Sequence, residues 1–225
     1  MRWLLTVYAL VILCGETAAQ GLHDSRGNMD IHIVPLTLID RNPRLRLGFE
    51  CHGFNKLGYS LELGWGNHLF NDLSLLEAIW GDHYTFFEIH PEIKWYAFES
   101  GRMEKYYGAE LFYSYLSDIL TTNDYIEQST GHNIFFESAS IRRHKIGLML
   151  KVGTKWHFGN RLVFDLSSGI GIAHREISYS DEVNTQIYDQ AIQEWFIPPY
   201  KREGKYIIPQ VSLGFKLGYV VNKKL

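Results

Sequence analysis

The stretch that decides the fold is Lys145-Ile146-Gly147-Leu148-Met149-Leu150-Lys151-Val152-Gly153-Thr154-Lys155-Trp156. Read at every second residue, Ile146, Leu148, Leu150, Val152, Thr154 and Trp156 make one face. Lys145, Gly147, Met149, Lys151, Gly153 and Lys155 make the other. Successive side chains of a strand point to opposite sides, so this period of two reads as a strand with one apolar and one polar face.

The same period recurs outward in both directions. Toward the C-terminus, Leu162 to Ile172 alternates against Asp165, Ser167, Gly169 and Gly171, and Ile207 to Tyr219 against Gln210, Ser212, Gly214, Lys216 and Gly218. Toward the N-terminus the runs are Arg44 to His52, Ser60 to Trp65, Glu88 to Phe98 and Tyr107 to Tyr115. An opening strand near Ile31 to Ile39 is less regular, because Val34 to Ile39 is largely apolar on both faces. Eight strands result.

A soluble β-sandwich would also alternate, with strands of about five or six residues. Most runs here reach about ten residues, the length a tilted strand needs to cross a bilayer. Their polar face mixes glycines with single charges and their apolar face often ends in Trp or Tyr, as in a barrel with a lipid-facing band and aromatic girdles. The connections agree: Gly53 to Lys56, Ser100 to Glu104 and Phe158 to Asn160 are short. Asn67 to His83, Asp118 to Ser140 and Tyr179 to Gly204 are long. The expectation is an all-β, eight-stranded antiparallel up-and-down transmembrane β-barrel with a closed, charged lumen.

The composition is compatible. The 225 residues carry 22 Lys and Arg against 25 Asp and Glu, a net charge of −3, with 15% aromatics. Such a chain is not disordered, and its charge balance argues against nucleic-acid binding. No run of about 20 apolar residues occurs, which excludes a helical membrane span. Arg2, the apolar Trp3 to Leu13 and the small residues Thr17-Ala18-Ala19 read as a secretory signal peptide over 1–19, leaving a barrel domain over 20–225. Cys14 lacks the small residue expected just before a lipidated cysteine. Cys51 is then the sole mature cysteine, so no internal disulfide forms.

At eight strands an interior is only wide enough for side chains to fill. The inward-facing Arg46, Lys94, Lys145, Lys151, Lys155 and Lys216 oppose Glu50, Glu62, Glu88, Glu92, Glu110 and Asp165, and predict a neutral ion network. A regular Ser100 to Glu104 turn would set Lys94 opposite Glu110. A sharper alternative makes Glu50, Glu62 and Glu110 a proton relay or metal site joined by His52 or His90. No His-Glu-x-x-His motif is present and basic partners are abundant, so the expectation is a structural network with no metal and no cofactor.

Pairing centred on Gly159 would set Ile146 opposite Ile172, His144 opposite His174 and Arg142 opposite Glu176, with Ser140 and Ser178 one step higher. His174, Glu176 and Ser178 are the residue types of a lipid-A deacylase. They succeed one another on one strand face at about 6.6 Å per step, and no oxyanion donor is evident. The competing reading is a collar in which Arg142, His144, His174 and Arg175, with Arg143, meet lipopolysaccharide sugars and phosphates. In the long connections, Val183, Ile187, Ala191 and Trp195 suggest one short amphipathic helix, and Leu69, Leu73, Leu76 and Ile79-Trp80 another. Thr121-Thr122-Asn123-Asp124 reads as solvated.

Several runs resemble the small eight-stranded outer-membrane barrels of the OmpA, OmpX and OmpW type, and an uncharacterised barrel family of Bacteroidetes-type envelopes. They are Ala18-Ala19-Gln20, Leu47-Gly48-Phe49-Glu50, Leu61-Glu62-Leu63-Gly64, Pro91 to Tyr96 and Gly214 to Tyr219. Val220 to Leu225 departs from the terminal aromatic that such barrels present to the insertion machinery. The resemblance implies a location in the outer membrane and lends no activity. The expected function is therefore a non-enzymatic envelope scaffold or accessory subunit of a larger outer-membrane complex, in contact with outer-membrane lipid and lipopolysaccharide. A lipid-A-modifying enzyme and a narrow pore are the alternatives.

Overall fold

The computed structural model describes residues 29–53, 56–73, 83–100, 102–159, 161–188 and 201–221. The signal-peptide expectation lies outside them. Among the described residues nine strands form: β1 (Met29–Ile33), β2 (Leu45–His52), β3 (Leu57–Asn67), β4 (Thr85–Ser100), β5 (Met103–Ile126), β6 (Asn133–Phe158), β7 (Leu162–Val183), β8 (Gln186–Tyr188) and β9 (Gly204–Val220). Short 3-10 turns occupy Pro35–Leu38 and His68–Leu73. Each strand from β1 to β6 pairs antiparallel with the next, β7 pairs with β9, and β9 returns to β1. The sheet thereby closes into a ring of eight strands, while β8 adds only to the far end of β6.

The polar face of the alternation is buried and the apolar face is not. Lys94, Glu50, Glu62 and Lys155 are at most 1% exposed, whereas Leu47, Leu150, Ile170 and Val211 are 52%, 63%, 69% and 83% exposed. The glycines of the inward face make room for large neighbours: a Cβ at Gly153 would collide with the Tyr106 ring, and one at Gly48 with the His32 ring. Outward aromatics collect near both rims. Trp95 and Tyr107 stack at 5.9 Å toward one end, and Trp65 and Phe87 lie toward the other.

Two pairings differ from the sequence expectation by two residues each. On β6 and β7 the last pair is Phe158↔Leu162, with Gly159 beyond it at φ +61. Ile146 therefore meets His174, His144 meets Glu176 and Arg142 meets Ser178. On β4 and β5 a tighter Ser100↔Met103 hairpin, with a register shift between Tyr96 and Phe98, sets Lys94 opposite Gly108 and Glu92 opposite Glu110. An even shift leaves every side chain on its expected face, so the interior keeps its composition and changes its partners.

The opening strand is shorter than expected. Pro35, which has no N–H to give a ladder, starts a 3-10 turn. Thr37 Oγ1 then donates to the carbonyls of Val34 (2.7 Å) and Arg44 (2.9 Å). With β1 ending at Ile33, the ring closes through four residue pairs, Asp30↔Val220 to Ile33↔Leu217.

The Asp118 to Ser140 connection is not a loop. Strands β5 and β6 run on through it to Ile126 and Asn133, and they reach 24 and 26 residues. Above the ring, Leu116, Leu120, Tyr125, Phe136, Ile141, Ile177 and Tyr179 pack into one buried apolar cluster with Tyr84 and Phe86. Thr121 and Thr122 are exposed on this extension. The inward phase changes at Thr122, whose φ is +49. Leu120 is buried before it and Tyr125 after it, with Ala139 and Phe136 in the same relation on β6. A locally irregular ladder of this kind re-aims the side chains beyond it. The helix expected at Val183 and Ile187 does not form there, since these residues lie in β7 and β8. Ala191, Trp195, Leu76, Ile79 and Trp80 lie outside the described residues, and Leu69 and Leu73 belong to the second 3-10 turn.

Candidate functional site

The interior of the ring holds a continuous chain of ion pairs. At the end nearest the short turns, Lys94 Nζ lies 2.6 Å from Glu50 and 2.7 Å from Asp165, and its ammonium sits over the Tyr106 ring. Lys155 Nζ lies 2.6 Å from Asp30 and 2.8 Å from Glu50. Tyr96 donates to Glu50, and Tyr106 to Asp165 at 2.7 Å. In the middle, Lys216 bridges Glu62 and Glu92, while Lys151 bonds Glu110 and lies 3.7 Å from Glu92. Higher up, Arg46 reaches Glu88 at 2.5 Å and Glu62 at 3.4 Å, and Arg44 reaches the same Glu88 at 2.6 Å. Of the twelve charges expected in the network, eleven are there, each with an oppositely charged partner, and Lys145 is the exception.

Sequence reasoning missed several members. Asp30, His32, Arg44, Tyr96 and Tyr106 complete the network: His32 spans Asp30 and Glu62, both at 3.3 Å. Beginning the first strand at Met29 would have placed Asp30 and His32 on the inward face. The phenols carry no charge and gave no signal.

The proposed carboxylate triad does not assemble as one site. Glu50, Glu62 and Glu110 belong to successive levels and are held by Lys94 and Lys155, by Lys216 and Arg46, and by Lys151 and His90 respectively. Asp30, Glu50 and His52 do present ligand atoms within 4.8 Å of one another. The Lys155 ammonium occupies that place, 3.4 Å from His52 Nε2 as well as on both carboxylates. A metal ion there would have to displace a paired lysine.

Toward the long connections the network gives way to a cavity of about 650 Å³. Phe112, Met149 and Ala173 form a small buried apolar cluster with Ile208 against them. Lys145, Arg143 and Arg175 line the same space. Lys145 was expected to belong to the ion network, yet its ammonium donates to the neutral Gln210 Oε1 at 2.5 Å. Arg143 donates to Asn42 Oδ1 at 3.1 Å.

The outer rim is divided differently from the expected collar. Arg142, His144 and His174 are exposed, but Arg175 is buried and faces inward with Arg143, as strand parity from Lys145 and Ala173 requires. His144 Nδ1 is 2.9 Å from the Tyr113 hydroxyl, and Glu176 is 3.3 Å from Lys205 Nζ. No hydrogen bond joins His174, Glu176 and Ser178 among the described residues, so these positions are not brought together as a nucleophile, base and orienting acid. Farther out, Tyr125 donates to Glu182 at 2.8 Å, and burial together with that carboxylate holds its phenol above the usual range.

Compared with known proteins, the chain matches no family model and no curated protein.

Proposed function

We propose that this chain is a transmembrane β-barrel of a bacterial outer membrane. In this reading it is exported by a cleaved signal peptide, of the OmpA, OmpX and OmpW type, and acts without chemistry of its own as an envelope scaffold or accessory subunit. The observation that carries the reading is the inversion of burial around the ring: charges are inside and leucines, isoleucines and valines outside. A soluble protein rarely exposes contiguous apolar area on this scale, whereas lipid demands it. From Ile146 to Trp156, ten steps of about 3.3 Å tilted by about 40° cover roughly 25 Å, the height of a barrel's apolar band. Closure also supports it, because unpaired backbone is costly in hydrocarbon.

The interior favours a closed barrel over a pore, since Asp30, Glu50, Lys155 and Asp165 leave no room for water between them. The separation of His174, Glu176 and Ser178 supports scaffold over lipid-A chemistry. The β5–β6 extension gives such a barrel a rigid surface beyond the membrane for a partner.

The test is gel mobility of outer-membrane fractions, boiled and unboiled: a folded barrel shifts on boiling, and an unchanged mobility refutes the barrel. Native purification then asks for stoichiometric companions. Lipid-A spectra from cells with wild-type protein and with His174→Ala are expected to be identical.

A further inference from the structure

Two interior cations are without a carboxylate among the described residues, and both face the cavity. Lys145 and Arg175 stand directly opposite each other on β6 and β7. Among the described residues Lys145 donates to the neutral Gln210 and lies over the Phe112 ring at 5.4 Å. Arg175 is 7% exposed, lies over the Tyr206 ring at 5.5 Å, and its Nε has no hydrogen-bond partner among the described residues. Like charges directly opposite destabilise a sheet, and a buried charge is costly unless paired. The network below shows the contrast: Arg46, Lys94, Lys151, Lys155 and Lys216 each touch a carboxylate.

Beneath the two cations Phe112, Met149 and Ile208 form an apolar patch, while Glu62, Glu88 and Glu110, which also line the cavity, are held by Lys216, Arg46 and Lys151. The cavity also reaches the outer face. Above Leu217, β9 pairs with β7 alone, and no strand among the described residues bonds its other edge. The Pro35–Leu38 turn stands there instead. Val211 and Leu213, 83% and 70% exposed to the outside, border the cavity at this gap.

We propose that the cavity binds an amphiphilic anion, with a carboxylate or phosphate head between Lys145 and Arg175 and an aliphatic tail along Phe112, Met149 and Ile208. The arginine fork and the ammonium supply charge-assisted donors suited to either head. A volume of about 650 Å³ suits a small ligand. The exit of the tail through the gap into lipid rests on the transmembrane reading, whereas the head-group site does not.

The test is binding of carboxyl-labelled dodecanoate, followed by its carbon NMR signal, to the purified full chain in nonionic micelles with protein-free micelles subtracted. One saturable site per chain is expected. Dodecyl phosphate should displace the probe, while dodecanol and inorganic phosphate should each be about tenfold weaker or worse, the value of one charge-assisted hydrogen bond. The double variant Lys145→Gln, Arg175→Gln should lose about tenfold or more by the same reasoning. Ile208→Trp keeps both cations and fills the cavity, and should also weaken binding. Absence of saturable binding, or unchanged affinity in either variant, overturns the site. Inorganic phosphate competing as well as dodecyl phosphate overturns the tail assignment. Boiled and unboiled gels of each protein separate the two readings: a retained shift with lost binding refutes only the site, and a wild type with no shift refutes the barrel.

Discussion

The extension continues three strands of the ring, yet the two regions have opposite insides. Below Phe112 and Met149, β5, β6 and β7 bury Glu110, Lys151, Lys155 and Asp165 and expose Leu111, Leu148, Leu150 and Ile170. Above Leu116 they bury Leu120, Phe136, Ile141, Ile177 and Tyr179, and leave Thr121, Glu137 and Ser178 exposed. The backbone is continuous and antiparallel across the change. Alternation is therefore common to both regions, and what differs is the outer face each presents: apolar around the ring, more polar around the extension.

The comparison can be broken in three ways. The largest effect is expected from Lys94→Met, which leaves Asp165 without its paired ammonium and Glu50 with Lys155 alone. Removing one partner of a buried pair costs about 3–5 kcal/mol, read as a lower urea midpoint of the micelle-folded protein. A change within about 0.5 kcal/mol, the range of ordinary surface substitutions, would show that the ring is not held by this network. Phe136→Ala should cost a similar 3–5 kcal/mol from the apolar cluster, but locally. The boiled-to-unboiled shift should persist while protease cuts between residues 116 and 140. Loss of the shift would show one cooperative unit rather than two cores. The smallest and most selective contrast pairs Leu150→Arg with Thr121→Arg. A charge on a lipid face costs about 2–4 kcal/mol near the midplane, and one on a watered surface about 0.5 or less. Equal costs would place both outer faces in the same medium.

Much of the ring was legible because its signal is local. Lys145 to Trp156 declares its two faces without reference to any other strand, and the eleven expected residues that pair in the network follow from parity alone. Arg175 was misplaced by ignoring that parity: Lys145 and Ala173 already put it inside. The extension was not legible, since Asp118, Thr121, Thr122, Asn123 and Asp124 are polar enough to read as a solvated loop, and Tyr125 returns to the cluster only through the phase change at Thr122. The first strand was overdrawn because apolar residues continue past Ile33, where Pro35 ends the ladder.

Chain chemistry alone settled where most strands of the ring run and which of their faces are charged, because both follow from a two-residue period in the covalent sequence. Folding alone decided who meets whom. A hairpin shorter or longer than expected moved Lys94 from Glu110 to Glu50 and Asp165, and His144 from His174 to Glu176. It also left Lys145 and Arg175 opposite each other over a cavity. Register depends on turn geometry and on closure around eight strands, and both are properties of the whole ring.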